Sequence, residues 1–176
     1  MMARARGSWP LVGALASAAG MAATVAQIVE RIQLAEDPHA ILSCNISKLV
    51  SCTSVLLAPQ SSVFGPVPNA AVGLAMFSMF ITAFAVAASK SSISVGLGRG
   101  VQFLLFFMLG FVTWFMWQTA YVIHALCLYC AVIATATVLA NLAWWKVTHR
   151  RLGMESLLAF GYWAMLAALV FYGLWR

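Results

Sequence analysis

Long stretches without a charged side chain divide the chain into blocks. They are the 23 residues between Arg6 and Glu30, the 41 residues of Leu49–Ser89, the 45 residues of Val101–Trp145 and the 20 residues of Ser156–Trp175. A helix needs about 20 predominantly apolar residues to cross the hydrocarbon core of a bilayer. The first and last blocks therefore predict one span each, whereas the two middle blocks must be divided.

Polar residues divide the two longer blocks. Residues 59–69 at the front of the second block are rich in proline, serine and glycine, which are typical of turns. His124 lies near the middle of the third block, which is too long for one span and too short for three. The five predicted spans are about Trp9–Val29, Ala70–Ala88, Val101–Ile123, Leu126–Trp145 and Leu152–Trp175.

The first span resembles a secretory signal peptide in following two basic residues, Arg4 and Arg6. Its apolar stretch from Trp9 to Val29 is, however, well beyond the roughly 7–15 residues of a cleaved signal. We therefore interpret it as a retained signal-anchor helix.

The composition agrees with an all-α integral membrane protein. The chain has 176 residues, of which 64% are hydrophobic and only 8% are charged, whereas a soluble domain has about 25% charged residues. This balance excludes a soluble enzyme and a disordered chain. The net charge of +6 comes from basic residues that are spread between apolar blocks, so no nucleic-acid partner is predicted.

The placement of lysine and arginine predicts the orientation, because cytoplasmic loops carry the excess of basic residues. One set of termini and loops contains Arg4, Arg6, Lys90, Arg99, Lys146, Arg150 and Arg151. The opposite set contains Arg31, Lys48 and Arg176. The N-terminus is therefore predicted to be cytoplasmic, with a long outer loop at residues 30–68 and a tight outer turn around His124–Leu126.

All four cysteines fall on the predicted outer side, where disulfides persist. Cys127 and Cys130 form a C-x-x-C at the first turn of the fourth span, where two residues three apart share a helix face. The helix N-terminus lowers the pKa of a thiol, which suits reversible oxidation. Ala131 follows the second cysteine, where a c-type haem motif needs histidine.

The other two cysteines, Cys44 and Cys52, lie in the long outer loop. In one straight helix they would be about 12 Å apart, which is too far for a disulfide. Either the chain bends between them or they do not pair with each other. Their spacing of eight is also unlike a zinc-ligand pair, so no metal is predicted. Apolar residues within 41–58 predict that the loop lies against the membrane surface.

The remaining polar residues add little chemistry. Glu36 and Asp37 are predicted to be a solvated charge cluster, although an acid near the loop cysteines could relay protons. Gly73 and Gly110 are predicted to permit close helix contacts. Because the predicted spans contain no buried carboxylate or basic residue, a proton pump or ion transporter is disfavoured.

Together these residues resemble the vitamin K epoxide reductase family, and its bacterial homologues in particular. The likeness consists of the loop pair Cys44 and Cys52, the segment Ser62-Val63-Phe64-Gly65, and Cys127-Leu128-Tyr129-Cys130 at the start of the fourth span. It covers about residues 10–146. It implies a four-helix transmembrane bundle around a quinone, with a fifth, peripheral transmembrane helix. The implied organisation is a cytoplasmic N-terminus at 1–8, the catalytic bundle at 9–146, and an inner loop with the fifth helix at 147–176.

The resemblance also implies roles for individual residues. Cys127 and Cys130 would be the active-site pair, with Cys130 nearest the quinone ring. Cys44 and Cys52 would be the shuttle pair, and Cys52 would form a transient link to Cys127. The quinone-pocket region would include Ser62, Phe64 and Gly65, and among the crowded aromatic residues of the third span Phe115 or Trp114 is expected to line it.

Two positions depart from the animal enzymes. Ser61 stands where they carry an asparagine, and Ala134 stands where they carry a tyrosine that contacts the vitamin. The resemblance therefore implies reduction of a ubiquinone- or menaquinone-type quinone rather than of an epoxide. Because many bacterial homologues carry a thioredoxin-like domain after the fifth span, either a separate extracytoplasmic thioredoxin-like partner is expected or such a domain has been removed.

Two function classes follow from these expectations. The first is an enzyme of the bacterial inner membrane, a quinone-dependent thiol–disulfide oxidoreductase that drives disulfide formation. The second is a structural membrane protein whose outer-side disulfides are static and catalyse nothing. The behaviour of the thiols when quinone is depleted distinguishes them.

Overall fold

The computed structural model describes residues 7–89, 93–149 and 154–175, and it forms a bundle of long helices. In chain order its helices are α1 (Trp9–Glu36), α2 (Cys52–Leu57), α3 (Asn69–Ala88), α4 (Val95–Gln118), α5 (Leu128–Thr148) and α6 (Met154–Trp175). A 3₁₀ turn at Pro59–Ser62 follows α2, and a π turn at Thr119–Ile123 extends α4.

Five of the described helices are long and apolar enough to cross a membrane. They are Trp9–Glu36, Asn69–Ala88, Val95–Ile123, Leu128–Thr148 and Leu157–Trp175. The predicted all-α membrane fold with five spans is thus confirmed. Two boundaries differ most from the prediction. α1 continues through residue 30, where the outer loop is predicted to begin, to Glu36, and α4 begins at Val95 rather than at Val101.

The first helix is the centre of the bundle and packs against both α3 and α5. Small residues on α1 make this close approach possible: the Phe84 ring lies over Gly13 and the Phe77 ring over Gly20. In the other direction, a Cβ placed on Gly73 of α3 would be 2.9 Å from Cγ2 of Thr24. The prediction of a close helix contact is therefore confirmed at Gly73.

The same prediction is wrong at Gly110. This residue is exposed on α4, and a Cβ added there would have no neighbour within 4 Å. The face of α4 that carries Gly110 points away from the other described helices, so a small residue there serves no packing contact.

The last helix, α6, is peripheral, as expected for the fifth span. It contacts α4, the π turn and α5. The Tyr121 hydroxyl donates to the carbonyl of Leu169 at 3.0 Å, and the Trp163 indole donates to the Thr135 hydroxyl at 3.2 Å. Most of the described side chains on α6 are exposed, and the helix contributes Leu166 and Val170 to the hydrophobic core.

The two ends of the bundle differ in chemistry. At one end the Trp144 indole of α5 donates to the carbonyl of Gly98 at 3.1 Å, and the Lys146 ammonium lies 5.6 Å from the centre of the Trp9 ring. The four cysteines lie at the opposite end. Most of the basic residues on which the predicted orientation depends lie outside the described residues: Arg4, Arg6, Lys90, Arg150, Arg151 and Arg176.

Candidate active site

The loop cysteines pair with each other. Cys44 and Cys52 form a disulfide, with their Cα atoms 5.7 Å apart. The chain bends between them, because α2 begins only at Cys52 and the preceding residues are irregular. This resolves the alternative that the sequence leaves open. Cys127 and Cys130 are both free thiols, and both are buried.

Hydrogen bonds dock the loop on the turn that precedes α5. The Ser51 amide donates to the carbonyl of Leu126 at 3.1 Å, and the Leu126 amide donates to the carbonyl of Leu49 at 2.7 Å. The Ser51 hydroxyl also caps α2 by accepting from the Ser54 amide at 3.3 Å. These bonds fix Cys52, at the first position of α2, against Cys127.

The two cysteine pairs meet through one short sulfur–sulfur approach. The Sγ atoms of Cys52 and Cys127 are 3.1 Å apart, and neither residue has any exposed surface. Disulfide exchange requires a thiolate to approach a disulfide sulfur directly. The Cys127 sulfur is therefore within reach of the Cys44–Cys52 bond.

Three sulfur atoms gather at this point: those of Cys44, Cys52 and Cys127 lie within 4.8 Å of one another. Metal sites use deprotonated thiolates as ligands. Because two of these sulfurs are joined in the disulfide, the group in this state offers a redox contact rather than a set of thiolates.

Local backbone geometry places the C-x-x-C at the start of α5. The π turn ends at His124, whose φ of 54° lies in the left-handed region. The chain then reaches Cys127, which is the N-cap of α5, and Cys130 follows in the first helical turn. Helix N-terminal amides and the helix dipole stabilise a nearby thiolate.

A glutamine that the sequence analysis missed lies beside both thiols. Gln27 of α1 is buried, and its side-chain amide donates to the Cys130 sulfur at 3.0 Å and to the Cys127 sulfur at 3.6 Å. The available signal was an uncharged polar residue inside an apolar span. Such residues are often packing contacts, so only the fold could assign Gln27 to the site.

The pKa of Cys127, which lies just before the membrane-spanning part of α5, is lowered from 9.0 to about 7. The largest cause is the hydrogen bond with the Cys130 side chain, and the Gln27 amide adds a smaller contribution of the same sign. Burial opposes both. A thiolate therefore forms readily at Cys127 near neutral pH.

This predicts a measurable titration. In the reduced protein, alkylation of Cys127 by iodoacetamide should rise with pH and reach half its maximum near pH 7, because only the thiolate reacts. Replacing Gln27 with leucine should move that midpoint upward, since a hydrogen bond to the thiolate is lost. Mass spectrometry of the labelled peptide measures both values, and an unchanged midpoint would contradict the role of Gln27.

An apolar cavity opens beside the second thiol. Its empty space is about 850 Å³, counting the part that is open to the outside. It is lined by Thr24, Gln27, Arg31, Val55, Leu56, Ser61, Phe64, Pro68, Asn69, Ala70, Val72, Gly73, Met76, Phe107, Met108, Phe111, Val112, Phe115, Met116, Cys130 and Ile133. The cysteine on this wall is Cys130 of the C-x-x-C, whereas Cys127 faces the loop disulfide.

The predicted pocket residues divide into two groups. Phe64, Phe115 and Cys130 line the cavity. Ser62, Gly65 and Trp114 are not among its lining residues. Ser62 accepts a hydrogen bond from Arg31 at 2.8 Å, and Gly65 takes a positive φ of 74° in the turn after Phe64. The centre of the Trp114 ring lies 5.6 Å from that of Phe111, with the two rings tilted by 42°.

The two positions that depart from the animal enzymes line different pockets. Ser61 lines the cavity, where its hydroxyl accepts from Arg31 at 2.8 Å. Ala134 is buried and lines a separate pocket between α5 and α6. The aromatic position of the animal enzymes thus has no counterpart on this cavity wall.

Comparison with known proteins agrees with this arrangement. A model of the vitamin K epoxide reductase family matches residues 11–147. The chain belongs to this family. The match covers nearly all of α1 to α5, with the loop and both cysteine pairs, and it ends before α6. A search of curated proteins finds no match.

Membership of the vitamin K epoxide reductase family makes the chain a membrane thiol–disulfide oxidoreductase, of a family that uses quinones. The adjacent cysteine pairs and the five apolar helices fit that activity.

Proposed function

We propose that the protein is a quinone-dependent thiol oxidase. Electrons pass from a secreted thioredoxin-like partner to Cys44–Cys52, then to Cys127–Cys130, and then to a membrane quinone. The net result is disulfide formation in extracytoplasmic proteins. The observation that carries this proposal is the 3.1 Å approach between the Cys52 and Cys127 sulfurs, with Cys130 one turn away on the cavity wall.

The order of the relay is supported by which sulfur faces which neighbour. The loop disulfide is the pair in the irregular outer segment, and Cys52 is its member next to Cys127. Cys130 is the cysteine on the apolar cavity. Two pairs are needed because a protein thiol arrives from water, whereas a quinone arrives from the bilayer.

The lining of the cavity suits a quinone chemically. Its wall is mostly apolar, with Phe64, Phe111 and Phe115 available to contact a flat ring. The polar groups on it, including Gln27 and Asn69, are few. A bound quinone would accept two electrons and two protons from the Cys127–Cys130 dithiol as that pair closes to a disulfide.

Two thiol–disulfide exchange steps within the chain connect the two cysteine pairs. The Cys52 thiolate attacks Cys127 of the Cys127–Cys130 disulfide, which forms the Cys52–Cys127 bond and releases the Cys130 thiolate. Cys44 then attacks Cys52, which forms the Cys44–Cys52 disulfide and releases the Cys127 thiolate. In the structure, Cys44 and Cys52 are joined and Cys127 and Cys130 are free thiols, as they would be after this second step. A lowered pKa makes Cys127 a good leaving group.

The location and partner are part of the proposal. Charge placement along the chain supports a multi-pass protein of the bacterial inner membrane with a cytoplasmic N-terminus. The cysteines then face the periplasmic or extracytoplasmic side, where a thioredoxin-like protein is available as the thiol donor. Ubiquinone and menaquinone types both suit the apolar cavity.

Quinone depletion tests the proposal. In proteoliposomes that contain a reduced thioredoxin-like dithiol protein but no quinone, all four cysteines should accumulate as thiols. Addition of a ubiquinone or menaquinone analogue should reoxidise them and restore turnover. Mass spectrometry after alkylation reads each cysteine separately.

The static alternative gives a different result. Structural disulfides would keep Cys44–Cys52 oxidised and Cys127 and Cys130 unchanged, with and without quinone. That outcome would contradict the proposed function.

A further inference from the structure

One buried acid lies against the loop disulfide. Glu30, in the last two turns of α1, is 5% exposed, and its Oε2 is 3.2 Å from the Sγ of Cys44. Its other oxygen, Oε1, accepts a hydrogen bond from the Ser43 hydroxyl at 2.6 Å and lies 3.4 Å from the Tyr129 hydroxyl. The carboxylate is thus shared between a sulfur on one side and two hydroxyls on the other.

The surroundings of Glu30 contain few other titratable groups. From the loop, Cys44 faces it, and from α5, Tyr129 does. α3 has no titratable side chain, and α2 has only Cys52. The other titratable side chains of α1 and α5 lie elsewhere. Arg31 donates to Ser61 and Ser62, Cys130 accepts from Gln27, Glu36 is exposed, and Lys146 lies near Trp9 at the other end of the bundle.

A carboxylate in this position needs an explanation, because removing one from water is costly. A purely structural anchor for the Ser43 hydroxyl would need one acceptor oxygen, which a neutral side chain can supply. The second oxygen touches the one sulfur of the loop pair that does not face Cys127. That sulfur must be a nucleophile when the loop disulfide is regenerated.

We propose that Glu30 is a catalytic base that removes the proton of the Cys44 thiol as Cys44 attacks Cys52 in the Cys52–Cys127 disulfide. The inference rests on the proposed function, because it concerns the second step of that relay. In this step the Cys44–Cys52 bond forms and the Cys52–Cys127 bond breaks. The electron pair of the broken bond leaves on the Cys127 sulfur, and the proton of Cys44 moves to Oε2 of Glu30.

The same contacts give the proton a path to water. Ser43 is exposed, and its hydroxyl bonds Oε1 of Glu30 and also lies 3.0 Å from the Tyr129 hydroxyl. A proton taken up at Oε2 is therefore only one hydroxyl away from solvent. Glu36 and Asp37, the acids that the sequence marks near the loop, are exposed and make no contact of this kind among the described residues.

The test compares Glu30→Gln with Glu36→Gln. Both replace an acid on α1 with its amide, but Glu36 is exposed and lies at the last residue of the helix, so its variant is the matched control. The Cys52–Cys127 disulfide is generated in reconstituted full-length protein by a rapid pulse of ubiquinone analogue and reduced thioredoxin-like protein. Acid quenching and mass spectrometry then follow its conversion to Cys44–Cys52.

The expected result is slower resolution in Glu30→Gln. A free thiol is only about 3% thiolate at pH 7, so loss of the base predicts a decrease of about 30-fold. The decrease should shrink towards none as the pH rises above 9, because hydroxide then removes the thiol proton without a protein base. Glu36→Gln should match the unmodified protein at every pH.

Three results would overturn the inference. Resolution as fast in Glu30→Gln as in the control would show that no base is needed. A faster rate would mean that the negative charge only suppresses ionisation of Cys44. A decrease that stays constant between pH 6.5 and 9.5 would assign Glu30 a structural role.

Two further measurements keep the outcomes separate. If Glu30→Gln does not accumulate in membranes, Glu30→Asp replaces it. We then expect a smaller decrease in the rate of resolution, with the same recovery at alkaline pH. A decrease that does not depend on pH would overturn the inference.

Failure of the proposed function would give a different result. In that case the unmodified protein itself forms no Cys52–Cys127 disulfide after the pulse.

Discussion

Replacing Cys130 with alanine is expected to abolish turnover and to leave Cys52 joined to Cys127. Without Cys130 the C-x-x-C cannot close, so no electrons can leave the site. The Cys127 thiolate, 3.1 Å from the Cys52 sulfur, can still attack the loop disulfide and release Cys44. The loss should exceed about 1,000-fold, as for removal of a covalent catalytic group.

Quinone-coupled oxidation of a thioredoxin-like dithiol measures the turnover of this variant, and peptide mapping after alkylation of the released Cys44 identifies the trapped bond. Leu128→Ala is the matched control, because Leu128 lies in the same helical turn but is 38% exposed. It should keep most of the activity. Normal turnover in Cys130→Ala, or a trapped bond that joins Cys44 rather than Cys52 to Cys127, would contradict the proposed relay.

Substituting Gly20 with alanine should destabilise the bundle. The Phe77 ring is fully buried and lies directly over Gly20, so an added Cβ would overlap the ring atoms. Overpacking of this kind costs about 1–3 kcal/mol. Because α1 is held between α3 and α5, neither helix can move away without disturbing the cysteine site. Thermal unfolding in detergent measures the loss.

The control for this prediction is Gly110→Ala. Gly110 is exposed, and a Cβ there meets nothing within 4 Å. Since alanine is the better helix former, this variant should unfold at an unchanged or slightly higher temperature. Equal melting temperatures for the two variants would show that the contact between α1 and α3 tolerates a larger residue.

The membrane architecture could be predicted from the sequence because charge marks helix ends in a lipid environment. The first outer boundary is the exception. The charges of Glu30 and Arg31 indicate the start of a loop, yet both residues belong to α1. Glu30 accepts a hydrogen bond from Ser43, and Arg31 donates hydrogen bonds to Ser61 and Ser62. These contacts join residues that are distant along the chain, so no local pattern predicts them.

The site was predictable only as far as its chemistry depends on residue type. Cysteine spacing alone indicated the C-x-x-C. The pairing of Cys44 with Cys52 could not be predicted, because it depends on the bend of the chain between them. The cavity depends on how each helix is rotated. Phe115 and Trp114 are adjacent and equally aromatic, but only the first lines the cavity.

In the proposed relay, the docking of the loop on the turn before α5 would make the protein selective among thiol donors. The hydrogen bonds of Leu126 with Ser51 and Leu49 help to hold the loop in place, and Cys44 and Cys52 are both buried. A small thiol such as glutathione would make too few contacts to displace the loop. A protein donor could exchange its own binding energy for the loop contacts, so the relay would pass electrons to the quinone only from donors that recognise the loop.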